Sequence, residues 1–183
     1  MMVIVPSSAP GAGSAGTATA LPGGGVHPRS KTMARVDIKL PEHLPFRTEI
    51  ELYLLHMNYG GHLDNALLLT VVTEARMRYF RALGFKESDV CGVGIVIADA
   101  AVQYRSEAFQ GEVMSVAMAA VEFARCGCDV VWQMTERTTR REVARGKTGI
   151  VFFDYRQRKV APLPEEFRTR AQACAQPATA APG

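Results

Sequence analysis

A dense group of polar residues and glycines precedes an apolar run in the segment HMNYGGHLDNALLL, residues 56–69. The group contains an imidazole at His62, a carboxyl at Asp64 and carboxamides at Asn58 and Asn65. Because a free imidazole has a pKa near ~6.5, it can take a proton from water at neutral pH, and His62 is therefore a candidate general base. A carboxylate at a helix start is favoured by the helix macrodipole, so Asp64 is a second candidate.

The helix expected after this group adds a further chemical feature. Its first N–H groups lack intrahelical partners and carry partial positive charge. When the carbon of a carbonyl group placed there is attacked, negative charge develops on the carbonyl oxygen. The fixed N–H donors stabilise this charge, which lowers the barrier to acyl transfer. The structural alternatives are Asp64 as a helix cap and Gly60 with Gly61 as a tight turn. The residues alone leave capping and catalysis open.

One amphipathic helix must hold this group in place. Apolar residues recur three and four positions apart over residues 65–83, which predicts a helix that ends at Gly84. Its apolar stripe contains Leu68, Leu69, Val72, Ala75, Tyr79 and Leu83, and its opposite, basic face contains Arg76, Arg78 and Arg81. Glu74 stands four residues before Arg78, a spacing typical of an exposed ion pair.

Strand-like segments flank the helix at residues 47–55, 92–105, 112–123, 129–138 and 141–153. The short segments CGCD and TTRR separate the last three and suit hairpin loops, which join antiparallel strands. Trp132 lies on one of these strands and is predicted to be in the core. The sequence predicts a single α+β domain, in which an antiparallel sheet of about five strands wraps around one long helix.

Composition limits the remaining function classes. The net charge of +3 is too small to indicate a nucleic-acid partner, and no apolar run reaches the length of a membrane span. The spacing of the four cysteines fits neither a redox pair nor a zinc site, which favours reduced thiols in a cytoplasmic protein without a metal or cofactor. Residues 1–32 and 171–183 are of low complexity and predicted to be disordered, so that residues 33–170 form the domain.

Several of these segments together carry a resemblance to a known family. The resemblance is carried by the first strand, the loop NYGGHLDN, the helix with EARMRYFRALG, and the segments VQYRSEAFQGEV and VARGKTGIVFFD. In these segments the chain resembles hotdog-fold thioesterases of the 4-hydroxybenzoyl-CoA thioesterase type. The resemblance implies hydrolysis of an acyl-CoA thioester, and a homodimer or homotetramer with the active site at the subunit interface. The alternative is a hotdog module that binds acyl-CoA without hydrolysing it. No His-Phe-Pro-Gly stretch is present, which disfavours a dehydratase.

The chain departs from the family at the catalytic position. The family loop commonly reads D-x-D-x-x-G-H-x-N-N, and Asn58 stands where the second, catalytic Asp is usual. An asparagine can position a thioester oxygen or a water but cannot act as a base. By the resemblance, the groups that could replace the carboxylate are His62, Asp64 and Glu74, the last at a helix position where other hotdog thioesterases carry a catalytic glutamate.

The resemblance also implies substrate-binding residues. The backbone N–H near Asn65 would meet the developing oxyanion, Gly61 would leave room for the acyl group, and Tyr59 is a further substrate-binding candidate. The candidates for binding the CoA phosphates are Arg105, Arg145 and Lys147. Arg145 and Lys147 share a strand face, and a solvated basic face is the alternative interpretation.

Overall fold

The structure is a computed structural model and describes residues 36–175. Within those residues the strands are β1 (Phe46–Glu51), β2 (Gly94–Tyr104), β3 (Val113–Val121), β4 (Gly127–Glu136), β5 (Glu142–Asp154) and β6 (Lys159–Val160). The helices are α1 (Leu67–Ala82) and α2 (Glu165–Ala175), and a single 3-10 turn covers Leu54–His56. The predicted N-terminal tail, residues 1–32, lies outside the described residues.

The strands form one antiparallel sheet in the order β1-β3-β4-β5-β2, and the short β6 pairs with the end of β5. Helix α1 packs across one face of this sheet, which we call the helix face; the opposite face is the outer face. This arrangement confirms the predicted hotdog architecture. Two boundaries were wrong. β1 ends at Glu51 because the chain turns into the 3-10 turn, and β4 begins at Gly127, inside the predicted CGCD loop.

The core lies between α1 and the helix face. Leu68, Val72, Ala75 and Tyr79 are buried as predicted, and the Tyr79 hydroxyl accepts the Ala120 N–H of β3 at 3.2 Å. Burial raises the pKa of this phenol, so it stays neutral in the core.

Two further predictions about the interior are confirmed. Trp132 is fully buried, and a Cβ added at Gly146 would lie 2.2 Å from its Cζ2, so the indole occupies the space that this glycine leaves. Gly84 has a φ of 85° and its N–H bonds the Arg81 carbonyl at 2.9 Å, which ends α1.

The predicted basic face of α1 was wrong at Arg76. This side chain is buried, and its Nε lies 2.7 Å from Glu87 Oε1. The reason is tertiary: the segment after Gly84 folds back over α1 and brings a carboxylate to a helix position that would otherwise face solvent. Buried charges of this kind are stable only when paired.

The predicted C-terminal tail also began too early. Helix α2 continues to Ala175, because Phe167 and Ala171 are buried against the core. The Phe167 ring lies 5.2 Å from Phe80 of α1 and 5.3 Å from Phe152 of β5. Neither helix of the described segment is long and apolar enough to cross a membrane.

Candidate active site

A four-residue turn shapes the loop before α1. The Gly61 N–H bonds the Asn58 carbonyl at 3.0 Å, and the Asn58 N–H bonds the His62 carbonyl at 2.9 Å. Gly61 has a φ of 77°, a conformation that glycine adopts without strain. A Cβ at Gly60 would lie 2.9 Å from His62 Nε2. Gly61 is therefore suited to the turn by its positive φ, and Gly60 leaves the space in which the His62 imidazole packs.

Asn58 holds the imidazole of His62. Its Oδ1 accepts the Gly60 N–H at 2.8 Å, and its Nδ2 lies 3.2 Å from His62 Nδ1. Because the Gly60 bond identifies the carbonyl side of the amide, the NH₂ side faces the ring, and His62 Nδ1 accepts. The proton of the neutral ring then sits on Nε2. In this structure Asn58 is a positioning group for His62.

A carboxylate faces the other nitrogen of the ring. Oε1 of Glu107, in the loop between β2 and β3, lies 4.0 Å from His62 Nε2; the side chains are 40% and 12% exposed, respectively. The two loops are joined by the Leu63 N–H, which donates to the Ala108 carbonyl at 2.7 Å. The sequence did not single out Glu107, because nothing in its own segment indicates a contact with the distant His62.

Arg141 holds the Glu107 loop from the opposite side. Its guanidinium donates to the Glu107 carbonyl and to Ser106 Oγ, and pairs with Glu112 Oε1 at 2.7 Å. Glu112 Oε2 in turn accepts the Phe109 N–H at 2.9 Å. The backbone that carries Glu107 is thus fixed by a charged network.

Asp64 caps α1. Its Oδ1 accepts the N–H groups of Ala66 at 2.8 Å and Leu67 at 3.2 Å, and its carbonyl accepts the Leu68 N–H at 2.9 Å. These bonds support the cap interpretation. They leave the Asn65 N–H at the helix start with no acceptor among the described residues.

Tyr104 fixes the backbone beside this free N–H. Its hydroxyl, on the edge strand β2, donates to the Asn65 carbonyl at 2.7 Å. Burial, with a smaller effect from the Asp64 charge, raises the pKa of this phenol, so that it remains a donor above the usual range. The sequence did not identify Tyr104, since its partner comes from another element.

The structure does not bring Glu74 to this loop as a free carboxylate. Its Oε1 lies 2.8 Å from Arg78 Nε, and Arg78 also donates to Thr48 Oγ1 at 3.1 Å and the Glu49 carbonyl at 2.8 Å. At 1.5 Å per residue, Glu74 lies ~10 Å along the axis from the first residue of α1. The structure thus has the i,i+4 ion pair that the spacing indicated, and a catalytic role for Glu74 stays a prediction.

The three basic candidates lie with acidic partners on the outer face. Arg145 forms two bonds to Glu142, at 2.6 and 2.8 Å, which hold the pKa of that carboxyl below its usual value. Lys147 Nζ lies 2.8 Å from Asp129. Arg145 and Lys147 alternate with buried residues of β5 that face α1, so they point to the side of the sheet opposite the helix. Arg105 Nε lies 4.0 Å from Glu142.

An exposed apolar surface adjoins the loop. Its members are Tyr53, Leu54, Leu55, Tyr59 and Phe109. Tyr59, at the tip of the turn, is 88% exposed, and Leu55 is 86% exposed. The 3-10 turn reaches the helix start through the His56 carbonyl, which accepts the Asp64 N–H at 2.9 Å. Exposed apolar side chains grouped in this way are typical of a surface that binds a ligand or another protein chain.

Comparisons with known proteins agree with this architecture. The sequence pattern of the "Thioesterase-like superfamily" matches residues 54–171. No curated protein matches the chain significantly. Among solved structures, a 1,4-dihydroxy-2-naphthoyl-CoA thioesterase from Synechocystis is similar, with a TM-score of 0.66 and 18% identity over 72% of this chain and 98% of that one. A hypothetical protein from Staphylococcus aureus, in complex with CoA, has a TM-score of 0.65 and 15% identity over 75% of this chain and 89% of that one.

Proposed function

The chain belongs to the thioesterase-like superfamily, and on that premise we propose that it hydrolyses an acyl-CoA thioester to a free acid and CoA at the start of α1. One observation carries the placement: the Asn65 N–H lies at the positive end of the helix with no acceptor among residues 36–175, while Asp64 occupies the next two N–H groups. A free, fixed donor at this position suits an oxyanion.

The reaction follows from this geometry. The thioester carbonyl oxygen lies against the Asn65 N–H, and a water oxygen attacks the carbonyl carbon. The water proton passes to a base beside His62. The negative charge that develops on the carbonyl oxygen is stabilised by the Asn65 N–H. Collapse of the tetrahedral intermediate breaks the C–S bond, and the CoA sulfur leaves with a proton. Fixed donors of this kind are worth about 10²–10³-fold in rate.

The loop residues divide into positioning and binding roles in this proposal. Asn58 orients His62 through the 3.2 Å contact. Gly61 keeps the turn open beside the helix start, and Tyr59 offers an exposed ring to the acyl group. Asp64 serves by capping, and its bonds leave the Asn65 N–H as the free donor.

The substrate class rests on similarity. The chain resembles the 4-hydroxybenzoyl-CoA thioesterase type in its motifs, and the similar Synechocystis and Staphylococcus structures are, by name, a CoA thioesterase and a CoA complex. These likenesses support CoA as the carrier of the acyl group. They leave the acyl chain open, and a panel of substrates is the appropriate probe. A cytoplasmic location is part of the proposal and is supported by four free cysteines.

We further propose a homodimer or homotetramer with the site at the subunit interface. β2 is an edge strand, and residues 97–100 of it are exposed. Long exposed edges are normally paired or covered. Tyr104 of that strand donates to the Asn65 carbonyl, so the edge strand lies beside the start of α1.

One experiment separates hydrolysis from the alternative of binding alone. The full chain is incubated with acyl-CoAs of short, long and aromatic acyl groups, and released thiol is measured together with CoA binding by calorimetry. Saturable thiol release with at least one substrate supports the enzyme. Stoichiometric acyl-CoA binding without release across the panel supports the binding module, which the amide of Asn58 at the family's carboxylate position favours.

A further inference from the structure

We propose that Glu107 is the carboxylate that activates water in this chain, in place of the one absent at Asn58. The inference rests on the proposed hydrolysis and names the group that takes the proton. Glu107 comes from the loop between β2 and β3, a different part of the chain from the helix start, and its carboxylate faces the His62 ring at 4.0 Å.

The other candidate carboxylates are engaged. Asp64 accepts the N–H groups of Ala66 and Leu67, Glu74, further along α1, pairs with Arg78, and Glu112 accepts from Arg141 and from a backbone N–H. By contrast, within the described part of the chain no lysine or arginine lies within ion-pair distance of Glu107. With 40% of its side chain exposed, its carboxylate can be reached by water.

The hydrogen bonds of His62 argue against the imidazole as the base. Its Nδ1 lone pair receives the Asn58 NH₂, and Nε2 therefore carries the proton and points toward Glu107. A ring held this way has no free lone pair for water but can donate to a carboxylate. A shift of ~1 Å brings the 4.0 Å contact to hydrogen-bond length, and such contacts are often long before substrate binds. His62 is then a positioning residue that orients Glu107.

Glu107 is held firmly enough for this task. Arg141 donates to its carbonyl, and the neighbouring Ala108 carbonyl accepts the Leu63 N–H at 2.7 Å. The second contact ties the Glu107 loop directly to the strand-like residues that carry His62. The backbone that carries the Glu107 side chain is therefore fixed relative to the turn that leads into α1.

The step balances without any further reactant. Water forms a C–O bond to the thioester carbonyl carbon and gives its proton to the Glu107 carboxylate. The carbonyl π electrons move to the oxygen beside the Asn65 N–H. When the intermediate collapses, the C–S bond breaks, and the CoA sulfur receives the proton from the Glu107 carboxyl. Glu107 returns to its ionised form.

The test is Glu107→Gln, which keeps the size of the side chain and removes the base. With an acyl-CoA that the wild type hydrolyses, kcat is expected to fall about 10²–10⁴-fold, the usual contribution of general base catalysis, with a small change in KM. Glu165→Gln, the same change at an exposed residue of α2, is the matched control and is expected to keep wild-type kcat. Thermal unfolding of both variants establishes that the fold is intact.

A second variant tests the role rather than the position. Adding Asn58→Asp to Glu107→Gln places a carboxylate where the family usually has one, and kcat is expected to recover at least tenfold. If Glu107→Gln folds poorly, Glu107→Asp takes its place. Because it keeps a carboxylate, Glu107→Asp is expected to retain part of the activity. Recovery in the double variant supports a missing base, since a purely structural defect at residue 107 would not be repaired from residue 58.

The failures are distinguishable. If the wild type releases thiol and Glu107→Gln keeps kcat within about threefold with an unchanged acid limb of the pH profile, Glu107 is not the base and hydrolysis itself stands. If the wild type binds acyl-CoA and releases no thiol from any substrate, the proposed function fails and the role of Glu107 fails with it.

Discussion

Replacing Tyr104 with phenylalanine tests the geometry of the helix start. The change removes one hydroxyl, which donates to the Asn65 carbonyl at 2.7 Å, and leaves the ring in place. A neutral hydrogen bond contributes about 0.5–1.5 kcal/mol net. If all of that free energy orients the Asn65 backbone in the transition state, kcat/KM falls roughly two- to tenfold. The loss is smaller than that of an oxyanion donor itself, because the Asn65 N–H remains.

The assay is steady-state thiol release from an acyl-CoA, with Tyr155→Phe as the matched control. Tyr155 also donates its hydroxyl to a backbone carbonyl, that of Ile95 at 3.0 Å, but at the other end of β2. We expect the control to keep the wild-type kcat/KM. Because the pKa of Tyr104 is raised by burial, the difference between wild type and Tyr104→Phe should persist into the alkaline range. Equal kcat/KM for Tyr104→Phe, Tyr155→Phe and wild type would refute the reasoning.

Three further predictions concern stability, substrate contacts and assembly. The N–H groups of Thr138 and Thr139 lower the pKa of Glu136 from 4.5 to about 2, so its carboxylate stabilises the fold above pH 4.5 and this contribution is lost as the pH falls toward 2. Between pH 4.5 and 2 the melting temperature of Glu136→Gln should therefore change less with pH than that of the wild type. The same pH dependence in the wild type and the variant would contradict this. Since Lys147 pairs with aspartates on the outer face, Lys147→Glu should lower the melting temperature and change KM equally for acyl-CoA and for a short thioester without the nucleotide. A selective rise in KM for acyl-CoA would instead support the predicted contact between Lys147 and the CoA phosphates. Light scattering at micromolar concentration should give a dimer or tetramer, and a monomeric mass would remove the shared site.

Much of the fold could be predicted from the sequence, because local patterns carried it. The three- and four-residue spacing of the α1 stripe placed Leu68, Ala75 and Tyr79 in the core, where the structure has them. Gly84 ends the helix through its positive φ, a property of the residue type itself. The short loops between apolar runs sufficed for antiparallel order. The family resemblance then related these elements to a hotdog arrangement.

What the sequence could not supply were contacts made between distant segments. Arg76 is buried because a later segment brings Glu87 over it, which no helical periodicity can show. Glu107 reaches His62 only because the β2–β3 loop pairs with the turn before α1. Contacts between residues close in the sequence could be predicted. The Asp64 cap and the ion pair of Glu74 with Arg78 are of this kind, and both were among the alternatives that the sequence indicated.

The central claim, that water attacks a thioester held at the start of α1, is tested most directly by isotope incorporation. An acyl-CoA that the protein hydrolyses is mixed with excess enzyme in H₂¹⁸O. The acid from the first turnover is analysed by mass spectrometry, and thiol release is measured in parallel. We predict one ¹⁸O per acid and one thiol per acyl-CoA, because water is the attacking group. An acid that carries only ¹⁶O after the first turnover would contradict direct attack by water, because its new oxygen would then come from a protein carboxylate that attacked the thioester, with water opening the resulting anhydride at the protein's own carbonyl carbon.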